Sequence, residues 1–259
     1  MNPIEQFQAE RDQRITQLGA DTHFRKLSQE WLKQSMGCQY VYNFEWLGRP
    51  IIQYPQDIIA MQELVWAVKP DLVIETGIAH GGSLILSASL LALLDLAEAT
   101  EGGAALDTAK PARKVIGVDI DIRDHNRAAI EAHPFANRIS MIQGSSVAPE
   151  TVAQVKDAAA GFGNIMVCLD SMHTHDHVLA ELEAYASLVA PGSYCVVFDT
   201  FVEDMPPGFF SDRPWDPGNN PKTAVFEFLR NHPEFVIDEA IQNKLAVTVA
   251  PHGFLKRLS

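Results

Sequence analysis

The sequence predicts an α/β fold: a Rossmann-like, doubly wound, mostly parallel sheet with an N-terminal helical extension. Three observations predict it. From residue 71 onward, short continuous apolar runs (DLVIE, KVIGVDI, ISMIQG, NIMVCLD, YCVVFD) alternate with longer helical segments. Apolar runs of about four to six residues are strands buried on both faces, and their alternation with helices calls for right-handed strand–helix–strand units. Polar clusters also stand at the carboxyl ends of these runs, where open α/β sheets bind ligands.

Each element follows in order. Residues 1–36 are polar with scattered apolar positions and read as one or two amphipathic helices. The aromatic, β-branched stretch YVYNFEWLGRPIIQYP is strand-like or a loop covering a pocket. Pro55 to Val68 reads as a helix, opened by proline and ended by Lys69-Pro70. The boundary between extension and main domain is set at 45/46. Leu84 to Leu96 is apolar but interrupted by serines; at about 13 residues it is short for a bilayer and reads as a core helix. The Gly/Ala-rich residues 98–113 read as a surface excursion. Residues 204–222, rich in Pro, Gly and aromatics, read as a lid. FVIDE and LAVTVA are expected to form an antiparallel hairpin at one sheet edge.

Composition narrows the function. The chain has 259 residues, 47% hydrophobic, with a formal net charge of −13, which argues against nucleic acid or an anionic membrane as partner. Cys38, Cys168 and Cys195 are widely spaced, without a CxxC pair, and Cys168 and Cys195, inside apolar runs, read as reduced core residues. The charged N-terminus MNPIEQFQAERDQR has no apolar signal segment, so a cytoplasmic enzyme is expected.

Five clusters carry candidate chemistry. VIETGIAHGGS (73–83) joins a strand to a helix through Gly77, Gly81 and Gly82, but has neither the GK[ST] ending of a P-loop nor a clean GxGxxG. It opens with an acid, Glu75, and contains no Lys or Arg. Such a loop suits a ligand with a cationic end, as S-adenosylmethionine (SAM) has, rather than a phosphate. Asp119 ends the next strand and can accept from ribose hydroxyls; Asp121 or Asp124 can cap a helix. Gln143 and Ser145, in IQGSS, suit an adenine edge, and Ser145 or Ser146 suits a helix cap equally. LDSMHTHDH (169–177) offers Asp170 at a strand end and three alternating histidines; His173 suits a general base, and zinc binding through several of them is an alternative. Asp199 ends the following strand. Together with Asp170 it suggests a hard divalent cation, Mg²⁺ or Mn²⁺, with Thr200, Glu203 or Asp204 completing the shell, unless these acids only cap helices.

Assembled, these clusters resemble a class I SAM-dependent methyltransferase and, more narrowly, the cephalosporin hydroxylase family, whose relatives include sugar and macrolide O-methyltransferases. The resemblance spans roughly Trp46 to Leu258. It rests on ETGIAHGGS, GVDIDIR-HN, LDS-HTHDHVLAEL, LVAPGSY and the tract from FDT-VEDMP to NNPKTAV-FL. It implies that Glu75, Gly77 and Ser83 hold the methionine part of SAM, Asp119 the ribose, and Asp170 and Asp199 a metal. His173 matches a histidine taken as base within a D-x-x-H pattern. Those relatives have a Glu-Asp pair where this chain has Phe198-Asp199, so one metal ligand is missing unless Thr200, Glu203 or a histidine substitutes.

The expected function is a SAM-dependent, divalent-metal-assisted O-methyltransferase acting on a hydroxyl of a small molecule, a sugar or secondary metabolite. SAM contacts are expected from Glu75, Gly77, Ser83, Asp119, Gln143, Ser145 and Asp170, metal contacts from Asp170, Asp199 and Thr200, and proton transfer from His173. The alternatives are an iron oxygenase built on Asp170, His173 and His175, an NAD-dependent dehydrogenase, and a SAM-binding protein without catalysis. The N-terminal helices are the expected interface of a homo-oligomer.

Overall fold

The computed structural model describes residues 2–259. Helix α1 (Pro3–Ala20) begins with a capping box, in which the Asn2 side chain accepts from the Ile4 and Glu5 amides. Helix α2 (Thr22–Gly37) follows, capped by Asp21. The aromatic stretch then makes a short antiparallel hairpin, β1 (Phe44–Trp46) and β2 (Arg49–Ile51). Leu47 and Gly48 both have positive φ there, as tight hairpin turns require. Helix α3 (Pro55–Val68) has the proline start read from the sequence, and Lys69 ends it in the left-handed region.

The sheet opens with β3 (Leu72–Thr76), followed by α4 (Gly82–Gly102), β4 (Lys114–Asp119), α5 (Asp124–Glu131), β5 (Ile139–Gln143), α6 (Pro149–Ala159), β6 (Ile165–Leu169), α7 (His175–Tyr185) and β7 (Tyr194–Val197). After the lid come α8 (Pro221–Asn231), β8 (Phe235–Ile237), α9 (Glu239–Leu245) and β9 (Phe254–Arg257). The strand order is β5-β4-β3-β6-β7-β9-β8, parallel from β5 to β7, with β9 antiparallel to both β7 and β8. The chain moves outward from β3 in one direction and returns to β6 to build the other half. The switch point therefore lies between β3 and β6.

Period-two alternation sorts the strand residues into two cores. Val73, Val115, Met166 and Val196 face α3 and α4, while Leu72, Ile74, Ile116 and Val167 face α6, α7 and α8. Helix α4 is 21 residues, longer than the apolar run suggested, because the helix continues through residues 97–102. By length and composition it could cross a membrane, but most of its apolar stretch is buried in this fold. It also carries buried Asp95, paired with Arg113 (2.5 Å) and Arg138 (2.6 Å). These pairs tie the far end of the excursion to the sheet; removing one partner would leave a buried charge, at a cost of about 3–5 kcal/mol.

One expectation fails. The antiparallel edge exists, but LAVTVA is not its second strand. Leu245 ends α9, Ala246 turns with φ 61°, and Val249 and Ala250 are buried in a bend. The ladder partner is β9, nine residues later. The polar atoms of LAVTVA are claimed by a buried acid: Thr248 Oγ1 and the Val249 amide both donate to Asp57 on α3. An apolar run marks burial and leaves the ladder open.

The N-terminal helices pack on the end of the chain and on α3. Gly19 sits so close to Asn243 of α9 that a Cβ would overlap that side chain, and Ser35 Oγ lies 2.7 Å from Tyr54 Oη. None of α1 is buried.

Candidate active site

The ends of β3 and β6 are in register, Thr76 beside Leu169, and the Asp170 amide donates to the Thr76 carbonyl (2.9 Å). The chain then needs Gly77. Its φ is 89°, and a Cβ would lie 2.0 Å from the Asp170 carbonyl oxygen. Gly82 performs a second close approach, against Pro50 of β2, which brings the hairpin over the start of α4.

The glycine-rich loop is held from both sides. Asp119 Oδ2 accepts the Ile78 amide (2.7 Å) and the Ala79 amide (3.3 Å). Arg49 donates twice to the His80 carbonyl and once to Asn126 Oδ1, and Asn126 Nδ2 donates to the Ala79 carbonyl (2.8 Å). Two loop amides are thus already engaged by a carboxylate of the chain itself. That explains physically why an acidic motif without lysine forms this turn: it is not presenting those amides to a phosphate.

Glu75 is buried, accepts the Ser87 hydroxyl and shares a small cavity with Ser83, Asp170 and Phe198. Burial pushes its carboxyl upward, partly offset by the Ser87 and Ser83 hydroxyls. On the β4–β5 side, Gly144 donates to the Asp119 carbonyl, and Gln143 Oε1 accepts from Arg127 (3.2 Å). Gln143 and Ser145 therefore stand beside Asp119 at adjacent strand ends, with Ser145 half-buried. Ser146, the alternative cap, faces the core: its hydroxyl meets His177 Nε2 (3.1 Å) and its carbonyl accepts from Tyr185.

The second half of the site forms where β6 and β7 end. Asp199 sits in the left-handed region (φ 56°) and begins the short 3-10 turn Thr200–Asp204. That turn brings Asp199 Oδ2 to 3.1 Å from His173 Nε2. Ligand atoms of Asp170, His173 and Asp199 all lie within 4.8 Å of one another. Burial, and then the Asp199 charge, push the Asp170 carboxyl well above the ordinary range; burial also raises Asp199, partly offset by His173. Two crowded carboxylates and an imidazole nitrogen are a donor set that suits a divalent cation, which would relieve their repulsion. Among the described residues this is the one cluster of His, Cys, Asp and Glu placed to hold a metal.

Several sequence candidates lie elsewhere. Thr200 is not a ligand: it is fully buried and its hydroxyl donates to the Pro251 carbonyl (2.7 Å). Glu203 accepts from the Gly218 amide and Asn220, and Asp204 pairs with Lys222, so both anchor the lid. The alternating histidines diverge because α7 starts at His175. His175 meets Thr223 and Glu227 of α8, and His177 joins Ser146, Ser171 and buried Glu181. Neither a three-histidine site nor the Asp170–His173–His175 iron triad is assembled. Phe198 is buried and lines the cavity beside Glu75, so His173 is the residue that completes the acidic pair.

Residues 204–222, the segment read as a lid, run from Asp204 into the first turn of α8. Trp215 meets the His173 ring edge-on at 4.7 Å, and Arg213 lies over Trp215. Phe209 and Phe210 stack edge-on, and Phe210 packs on Phe201. The sequence missed Gln53, Asp57, Arg49 and Asn126. Gln53 was findable as the polar residue inside the apolar run IIQYP; the others become visible only through long-range contacts.

Known proteins resemble this chain in sequence and in fold. The family profile described as rhamnosyl O-methyltransferase/CmcI matches residues 38–258. A rhamnosyl O-methyltransferase of Mycobacterium leprae is 29% identical over 236 residues, covering 89% of this chain and 90% of that one. The corresponding protein of Mycobacterium tuberculosis is 29% identical over 208 residues, 78% of this chain and 73% of that one. A solved structure of CmcI with Mg and SAM has the same fold, with a TM-score of 0.55 at 17% identity, covering 84% of this chain and 78% of that chain. A profile match over most of the sequence, on a fold that joins a glycine loop to an Asp–His–Asp cluster at the switch point, leads to one conclusion: the chain belongs to the rhamnosyl O-methyltransferase/CmcI family.

Proposed function

We propose that this SAM-dependent O-methyltransferase methylates a hydroxyl of a sugar-type small molecule, with Mg²⁺ or Mn²⁺ held by Asp170 and Asp199 and His173 as base. One observation carries the reading: Asp170 belongs to both halves of the site. It lines the cavity with Glu75 and Ser83, and it stands within the cluster with His173 and Asp199. The names of the relatives, which are rhamnosyl O-methyltransferases, support a sugar acceptor.

When bound, SAM supplies an electrophilic methyl group and the cation supplies Lewis acidity. The chain's own residues do the rest. Glu75, Gly77 and Ser83 would hold the methionine part, Asp119 the ribose, and Gln143 and Ser145 the adenine. His173 would accept the acceptor hydroxyl's proton at the ring nitrogen that does not face Asp199, with Asp199, at 3.1 Å from Nε2, oriented to stabilise the resulting imidazolium. Trp215, against His173, would exclude water and position the acceptor. Within the same reading, the exposed Ile4 and Phe7 of α1 support self-association through residues 1–45, and the location is cytoplasmic.

The test is calorimetry with SAM and S-adenosylhomocysteine, followed by mass spectrometry of rhamnosyl and nucleotide-linked sugar acceptors. Absence of binding of either nucleoside would overturn the reading. The cluster also favours a second role for His173, as third metal ligand. His173→Ala that keeps Mn²⁺ affinity but loses turnover supports the base; loss of Mn²⁺ affinity supports the ligand.

A further inference from the structure

We propose that Gln53 takes the ammonium group of the amino-acid part of SAM in a pocket the size of one water molecule. The inference rests on SAM being the cofactor and adds a residue outside the sequence motifs. Gln53 lies on the turn between β2 and α3 and is 5% exposed. Its Nε2 donates to Asp170 Oδ2 at 3.2 Å. Its Oε1 is buried and has no partner. Reversing the amide would turn that oxygen against the carboxylate, so Gln53 presents an acceptor awaiting a donor.

The surroundings select the donor. Gln53 shares a cavity of about 20 Å³ with Glu75, Ser83, Asp57 and Asp170, and no Lys, Arg or His lines it. That volume admits roughly one water-sized group. Three carboxyls and an unpartnered amide oxygen around so small a space favour a compact cation that only donates hydrogen bonds. A primary ammonium has that size, charge and donor set. A hydrated Mg²⁺ needs octahedral room that this cavity lacks. The same amide grips Asp170, so Gln53 links the cofactor's amino-acid end to the acidic cluster.

Calorimetry on the full chain tests this with two ligands: S-adenosylhomocysteine, and 5′-methylthioadenosine, which lacks the amino-acid part. Gln53→Leu is expected to weaken S-adenosylhomocysteine about 10- to 100-fold while leaving 5′-methylthioadenosine within about twofold. Equal losses for both ligands, or no loss for S-adenosylhomocysteine, overturn the assignment; the second result would mean that water fills the pocket. If the leucine variant does not fold, the wild-type protein decides: an S-adenosylhomocysteine analogue lacking only the amino group must bind about 10- to 100-fold more weakly, and equal binding overturns the proposal. Wild-type protein that binds neither nucleoside overturns the SAM reading itself, a result distinct from failure of Gln53 alone.

Discussion

The two halves of the site are built from different material. On the β3 side, the glycine loop is held through its backbone: Asp119 takes two of its amides, Arg49 and Asn126 take two of its carbonyls, and Gly77 touches the Asp170 carbonyl. On the β7 side, side chains meet side chains: His173 with Asp199, Trp215 with His173, Lys222 with Asp204. The contrast implies a division of labour. The β3 side is set before any ligand arrives, and damage there should appear as lost binding or lost fold. The β7 side can be altered one side chain at a time, and damage there should appear in turnover with cofactor binding intact.

The sharpest way to break that contrast is Gly77→Ala. Positive φ and a backbone clash act together, so stability should fall by more than about 4 kcal/mol. S-adenosylhomocysteine binding should be lost with it, read by thermal denaturation and calorimetry. On the other side, His173→Ala should lower kcat about 10²- to 10⁴-fold while the S-adenosylhomocysteine Kd changes little; a parallel loss of binding would mean that the two halves are not separable.

Asp57, which lines the cavity with Glu75 and Asp170, offers a pH test. Burial pushes its carboxyl up to about 7, against an ordinary value near 3.8, partly offset by Thr248 and the Val249 amide. The folded protein therefore binds more protons than the unfolded chain across that window. The favourable contribution is full below about pH 4 and declines as pH rises to about 7, a total of roughly 4 kcal/mol. In the cofactor-free protein, Asp57→Asn should flatten the dependence of Tm on pH across that range; an unchanged slope would remove Asp57 from the account. The smallest effect is expected from Trp215→Ala. Losing the ring against His173 should reduce kcat/KM about 10-fold, roughly 1–2 kcal/mol, with cofactor affinity unchanged.

Much of the fold was legible because its signals are local. Continuous apolar runs marked all five parallel strands, and Pro55 and Lys69-Pro70 bracketed α3 as expected. Asp170, His173 and Asp199 were legible for a related reason: a residue just past a parallel strand can only stand at the sheet's carboxyl edge. The errors share one cause. Thr200 directly follows Asp199, and adjacency suggested a shared role; the left-handed turn at Asp199 sends the next side chain into the core to reach Pro251. LAVTVA is apolar enough for a strand, but buried Asp57, some 190 residues earlier, claims its polar atoms.

The sequence by itself determined the class of fold, the strand ends and the chemical types stationed there, because these depend on periodicity and on residues a few positions apart. Tertiary structure alone decided which of those residues meet. It turned His175 and His177 away and kept His173, replaced Thr200 with an imidazole in the acidic cluster, and buried Gln53 against Asp170. Such choices depend on distances between segments tens of residues apart, 117 for Gln53 and Asp170, and only the packed sheet and its covering helices set those distances.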